Sequence, residues 1–225
     1  MLRTKQHATG KTGTFGRALA RFKSVREERA NPARIGFLID ATSSRADTWR
    51  EAQKIQAQMF RSVLGLRSMA LRLVHFGGNT LTDHGWTTSS KALAATMSEV
   101  ACVKGFTQIL PGLRAFLDGE PASAIIVVGD AFEEDFDDAA SLAAVLGHAG
   151  VKVFSFLEGD DPTAAAVFRE LAETTGGRFA CFGAELPLRD LCEGIALLTA
   201  GGSQALKRLD NPKVRQLLLT GPGQT

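Results

Sequence analysis

Short apolar runs alternate along this chain with longer amphipathic ones. The runs at 34–39, 69–76, 124–128 and 151–156 are rich in Leu, Ile, Val and Phe. They are too short for buried helices and are bounded by polar or glycine-containing turns, so they read as strands buried on both faces. The run at 81–86 is more polar and follows the turn Gly77-Gly78-Asn79; it reads as a short antiparallel strand at an edge. Residues 178–181 form a last short strand. Helical periodicity fills the gaps at about 46–64, 91–100, 109–117, 135–147, 162–175 and 188–199. Asp161-Pro162 opens one of these helices, with Pro in its first turn. Gly201-Gly202 breaks the chain before a C-terminal helix near 203–219. Strands alternating with helices imply an α/β fold. The expectation is a doubly wound, mostly parallel sheet of about six strands with helices on both faces.

The ends differ from the middle. Phe15, Ala18, Leu19, Phe22 and Val25 recur at helical spacing, predicting an amphipathic helix over 15–29 that Asn31-Pro32 ends. Residues 1–30 carry eight Lys or Arg against two Glu, and residues 203–225 carry four against one Asp, so the net charge of +2 hides an acidic body. The chain therefore divides into a basic arm at 1–33, a domain at 34–200, and a basic helix and tail at 201–225. Leu206, Val214, Leu217 and Leu218 give the second arm an apolar stripe, which predicts that both ends are helical and docked on the domain or on a partner. Gly10-Lys11-Thr12 is not a phosphate loop, because Lys5 stands where its first Gly belongs and no strand precedes it.

No apolar stretch approaches the roughly 20 residues of a membrane span. The N-terminus lacks the apolar core of a secretory signal. Cys102, Cys181 and Cys192 are odd in number and show no metal-ligand spacing, which implies reduced, mostly buried thiols in a cytoplasmic protein. His7, His75, His84 and His148 share no ligand spacing either and read as packing or surface residues.

Candidate chemistry starts at Asp40-Ala41-Thr42-Ser43-Ser44, directly after the first strand. One carboxylate and two hydroxyls on a tight loop are the hard oxygen donors that Mg²⁺ prefers. A step of two along an extended loop turns positions 40, 42 and 44 toward one point. Asp130 also ends a strand, and Thr107 opens a helical segment. Strand C-termini are the ligand-binding edge of such sheets. The same loop residues can instead cap and turn the helix at 46–64, through Ser44 or Asp47. The acidic run Glu133, Glu134, Asp135, Asp137, Asp138 reads as a solvated helix start. Its other reading is an acidic rim, extended by Glu158, Asp160 and Asp161, that favours cations and basic partners and opposes nucleic acid.

Asp40-x-Thr42-x-Ser44, Thr107 and Asp130, followed by Leu171-Ala172 and Thr175-Gly176-Gly177 before Phe179, resemble in order the von Willebrand factor A domain with its metal-ion-dependent adhesion site. The likeness runs over roughly residues 34 to 200. Thr42 stands for the family's Ser, and the flanks Ser43, Arg45, Gly129 and Ala131 depart from its pattern without removing a ligand. The resemblance implies that Asp40, Thr42, Ser44, Thr107 and Asp130 hold Mg²⁺ or Mn²⁺, directly or through water. It also implies an open coordination position for a partner protein's Glu or Asp, and a scaffold or adaptor role in a multi-protein complex. No enzyme is expected. Two alternatives stand beside this: a structural subunit with a vestigial metal site, and a Mg²⁺-dependent phosphatase-like hydrolase. The second lacks the carboxylate that haloacid-dehalogenase-like phosphatases need where Thr42 stands.

Overall fold

The computed structural model describes residues 32–45 and 69–220. The helices expected at 15–29 and 46–64 lie outside the described residues. The strands are β1 (Ala33–Asp40), β2 (Met69–Gly77), β3 (Thr80–Thr87), β4 (Ala124–Gly129), β5 (Lys152–Leu157) and β6 (Arg178–Cys181). The described helices are α1 (Ser90–Glu99), α2 (Ile109–Ala115), α3 (Phe136–His148), α4 (Pro162–Thr174), α5 (Leu188–Leu206) and α6 (Pro212–Leu219). The sheet order is β3-β2-β1-β4-β5-β6, with β3 antiparallel to β2 and every other pair parallel. This is the doubly wound α/β sheet that the alternation implies.

The central strands alternate between two cores. Ile35, Phe37 and Ile39 of β1, with Ile126, Val128, Phe154 and Phe156, face the layer containing α1, α5 and α6. Leu38, Val74, Phe76, Ile125, Val127 and Val153 face α2, α3 and α4. Both faces being covered explains why these strands are continuous apolar runs. Helix α2 sits unusually close to β1. A Cβ on Gly112 would fall 2.3 Å from Leu38 Cδ1, and one on Gly36 2.3 Å from Phe116 Cε1. Gly36 and Gly112 thus let α2 and Phe116 pack closely on β1.

The Thr-Gly-Gly turn has a physical reason. Thr175 Oγ1 accepts a hydrogen bond from Val153 N at 2.9 Å and lies 2.8 Å from Leu171 O, fastening the end of α4 to β5. A Cβ on Gly177 would lie 1.8 Å from Val153 O, so no side chain fits where the chain enters β6.

The C-terminal region departs from the expected single helix over 203–219. Helical structure continues past 199 to Leu206, interrupted at Gly202, whose φ of 66 is non-helical. A turn follows, and Asn211 caps α6 by accepting from Lys213 N and Val214 N, with Pro212 in the first turn. Leu206, Leu209, Val214 and Leu218 are buried in the same core as Ile35 and Phe37. The stripe seen in the sequence thus packs on the domain itself. Leu218→Ala should destabilise the protein by about 2–5 kcal/mol in denaturant unfolding, as expected for a buried Leu that leaves a cavity.

At the polar edge, β3 pairs with β2 through a bulge: Arg72 pairs with Trp86 and Val74 with Asp83, so His84 and Gly85 oppose Leu73 alone. Gly85 takes a φ of 69, which favours glycine there. Arg72 Nε donates to Asp83 Oδ1 at 3.0 Å, Arg72 Nη2 pairs with Asp83 Oδ2, and Gly85 N donates to Asp83 Oδ1 at 2.8 Å. The Arg72 hydrogen bond holds the Asp83 carboxyl below its usual range. The Arg72 guanidinium also lies over the rings of Phe116 and Trp86, at 5.3 and 5.7 Å. His75 Nδ1 and His84 Nε2 are 3.2 Å apart, a contact that the residues' sequence spacing did not suggest. Burial, then the charge of His84, lowers the His75 pKa from 6.5 to about 4. The unfolded chain therefore takes up the proton first as pH falls. The contribution of His75 to stability should be flat above pH 6.5 and fall between 6.5 and about 4, and His75→Gln should flatten that slope in pH-dependent melting.

Among the described residues, no helix is long and apolar enough to cross a membrane. No disulfide joins the cysteines. Cys192 is buried, with its thiol pKa raised by burial, Cys102 is half-buried and Cys181 is exposed, so the expectation of mostly buried thiols fails at Cys181.

Candidate metal centre

Three loops leave the C-terminal edge of the sheet at β1, before α2 and after β4. Strands β1 and β4 are neighbours with Ile39 level with Val128, so Asp40 lies level with Gly129 and Asp130 is one residue beyond. A Cβ on Gly129 would sit 3.4 Å from Asp40 Cβ, which shows how closely the two strand ends approach.

The first loop is a turn rather than the extended segment expected. Thr42 N donates to Asp40 Oδ1 at 2.7 Å, closing an Asx turn, and Ser43–Arg45 form one 3₁₀ turn. This turn, and not strand-like alternation, brings the side chains together. Thr42 Oγ1 and Ser44 Oγ are 2.9 Å apart. Asp40 and Thr42 are buried, whereas Ser44 is exposed.

The loop before α2 is stitched to both neighbours. Val103 N donates to Ala41 O at 3.0 Å, and Gly78 N donates to Val103 O at 3.1 Å. Phe106 N donates to Asn79 Oδ1 at 3.0 Å, and Asn79 takes a φ of 57 to present it. Thr107 is buried. Its hydroxyl oxygen accepts from Glu133 N at 3.0 Å, while Thr107 N donates to Glu133 Oε2 at 3.0 Å. Thr107 is thus tied to the loop that carries Asp130. Lys104 is exposed.

Glu133 and Glu134 therefore have a role that neither sequence reading gave them. Glu134 accepts from Ile109 N at 2.8 Å and Leu110 N at 2.9 Å, capping α2 from a loop some 25 residues away. Helix α3 is capped separately, by Asp135 accepting from Asp138 N. A cap from so far along the chain leaves no local signal; the one clue was two glutamates standing before the N-cap Asp135 rather than inside α3. Removing the charge and one acceptor in Glu134→Gln should cost about 1–3 kcal/mol of stability and speed hydrogen exchange at the Ile109 and Leu110 amides.

Asp130 Oδ1 is buried and has no hydrogen-bond partner among the described residues. Such atoms are uncommon because an unsatisfied buried acceptor is costly, and a cation is one group that satisfies it. Among the described residues, no group of three or more His, Cys, Asp or Glu side chains is arranged to hold a metal ion. The expected set has only two carboxylates, so its chemistry is that of hydroxyls and carboxylates serving a hard cation. On these two grounds the residues fit a divalent ion.

No protein-family description matches the chain, and no curated protein matches it in sequence. Solved structures do. A von Willebrand factor type A protein from Catenulispora acidiphila aligns at TM-score 0.60 and 14% identity, over 76% of this chain and 43% of that one. The SpRpn10 VWA domain aligns at TM-score 0.57 and 16% identity, over 68% of this chain and 88% of that one. Proximal thread matrix protein 1 from the mussel byssus, solved with a zinc-occupied adhesion-site motif, aligns at TM-score 0.58 and 16% identity, over 74% of this chain and 45% of that one. The match thus spans less than half of two of these three proteins. At such identities the likeness shows the fold, which is that of the von Willebrand factor A domain.

Proposed function

We propose that this protein is a cytoplasmic interaction module that binds partner proteins through a divalent cation. Asp40, Thr42, Ser44, Thr107 and Asp130 would hold Mg²⁺ or Mn²⁺, directly or through water. The cation would supply an electropositive point for a Glu or Asp of the partner. The observation that carries the reading is the buried, unsatisfied Asp130 Oδ1 on the edge where Asp40 and Thr107 also lie. The bound ion in the byssus protein supports it, since that fold accommodates a divalent metal at its motif.

A second feature favours a protein partner. Phe106 is 68% exposed and Val103 50% exposed on the loop before α2, and Phe136 is 52% exposed just after the Glu133-Glu134 loop. Exposed apolar side chains grouped on the loops of one edge are typical of association surfaces. A scaffold or adaptor subunit of a larger complex, without catalysis of its own, is the role consistent with this chemistry. The exposed Cys181 thiol fits a reducing compartment.

One observation supports the rival reading of a vestigial site. Thr42 and Ser44 bond to each other, and Thr107 to Glu133, so these hydroxyls are satisfied without an ion. Titration calorimetry of the chelator-stripped protein separates the two. One Mg²⁺ or Mn²⁺ site is expected, abolished in Asp130→Asn and Asp40→Ala, while the circular dichroism of both variants stays native. Absence of binding in the unaltered protein leaves the vestigial reading.

A further inference from the structure

The unexplained feature of the fold lies on the β2–β3 hairpin, with His75 level with Ile39 beside the candidate centre: two histidines nine residues apart with ring nitrogens in contact. His75 stands on β2 opposite Thr82, and His84 is two residues beyond Thr82 on β3. Such diagonal neighbours share a face of the sheet and lie within reach of aromatic side chains. The bulge at His84-Gly85 then re-aims His84. Its geometry is fixed from below, because Asp83 is held by both Arg72 and Gly85 N, and Arg72 is itself held over Phe116 and Trp86. The rings of His75 and His84 are nearly parallel, at 15°, with centroids 5.2 Å apart.

We propose that His75 Nδ1 and His84 Nε2 form a two-nitrogen chelate for a late first-row divalent ion such as Ni²⁺, Cu²⁺ or Zn²⁺, clipping the edge strand β3 to β2. The spacing is the argument. Two imidazole nitrogens each about 2.0–2.1 Å from one tetrahedral metal lie about 3.3 Å from each other. Here they are 3.2 Å apart before any metal arrives, so binding needs little movement of either ring. The proton that now lies between the rings shifts to the far nitrogen of its own imidazole, a change of tautomer that frees both lone pairs. His84 is exposed, which leaves the remaining coordination positions to water. Imidazole nitrogen suits these borderline ions and not Mg²⁺, so this site and the oxygen-lined one select different metals. The consequence is a metal-dependent staple on the sheet's one antiparallel edge, stabilising the folded chain by mass action.

The test is nickel titration of the full-length, chelator-stripped protein in excess Mg²⁺, followed by calorimetry and by thermal melting. One Ni²⁺ equivalent should bind and raise the melting temperature. His84→Ala, at an exposed position, should lose both the binding and the shift, and His75→Gln should do the same. Asp40→Ala should keep both. With Co²⁺ in place of Ni²⁺, the visible spectrum of a nitrogen-ligated ion should appear in the unaltered protein and vanish in His84→Ala. Equal Ni²⁺ binding by the unaltered protein and His84→Ala overturns the proposal, as does binding that disappears in Asp40→Ala. Either result assigns the contact to a plain imidazole hydrogen bond.

Discussion

Strands β1 and β4 pair in parallel, and the strands on either side of them run outward in opposite order. That is the switch point of a doubly wound sheet, and it opens a crevice between two strand ends that must otherwise stay in contact. Asp40 and Asp130 occupy those two ends. Everything else at the candidate centre follows from this pairing. Gly129 stands directly against Asp40, and the chain turns in one 3₁₀ turn just after it. The loop before α2 has to cross the end of β1, and it bonds Ala41 in passing.

The third loop would still be loose without a connection to the other two. Glu133 and Glu134 supply it. Their carboxylates accept three amide hydrogens from Thr107, Ile109 and Leu110, and the Glu133 amide returns one to the Thr107 hydroxyl. Charge-assisted bonds of this kind are shorter and stronger than neutral ones. They also spend negative charge that the sequence alone would leave at the surface. The acidic rim is therefore thinner than a count of carboxylates suggests. Its exposed members near the edge are Glu133, Asp135, Asp137 and Asp138, with Asp160 and Asp161 beyond β5.

Much of the fold was legible because its signals are local. Continuous apolar runs mark β1, β4 and β5, and Asp161-Pro162 marks a helix start by cap chemistry that acts within three residues, whereas the start at Asn211-Pro212 was missed inside the single helix expected over 203–219. The ends of the strands placed Asp40 and Asp130 on the binding edge for the same reason. What was not legible depends on contacts between distant segments. Glu134 caps a helix that precedes it by some 25 residues. His84 meets His75 only because a bulge and a glycine redirect it. The loop at 40–44 shows a third case. Its residue types pointed to one site, but the geometry joining them is an Asx turn, which periodicity cannot foresee.

The C-terminal helix shows how an apparent appendage becomes part of a core. Its charges suggested an arm, since Lys207, Arg208, Lys213 and Arg215 cluster in a short stretch. Yet net charge describes the surface, while Val214 and Leu218 decide where the helix lies. They are buried beside Leu206 and Leu209, and the cations stay at the periphery. Arg215 Nη1 donates to Leu209 O at 2.9 Å, and Arg178 Nε donates to Leu217 O at 3.2 Å, so guanidinium groups close carbonyls that the helix ends leave open. The basic residues are therefore partly structural. Any partner drawn to positive charge at this end meets a surface already organised by α5 and α6, on the face of the sheet opposite α2.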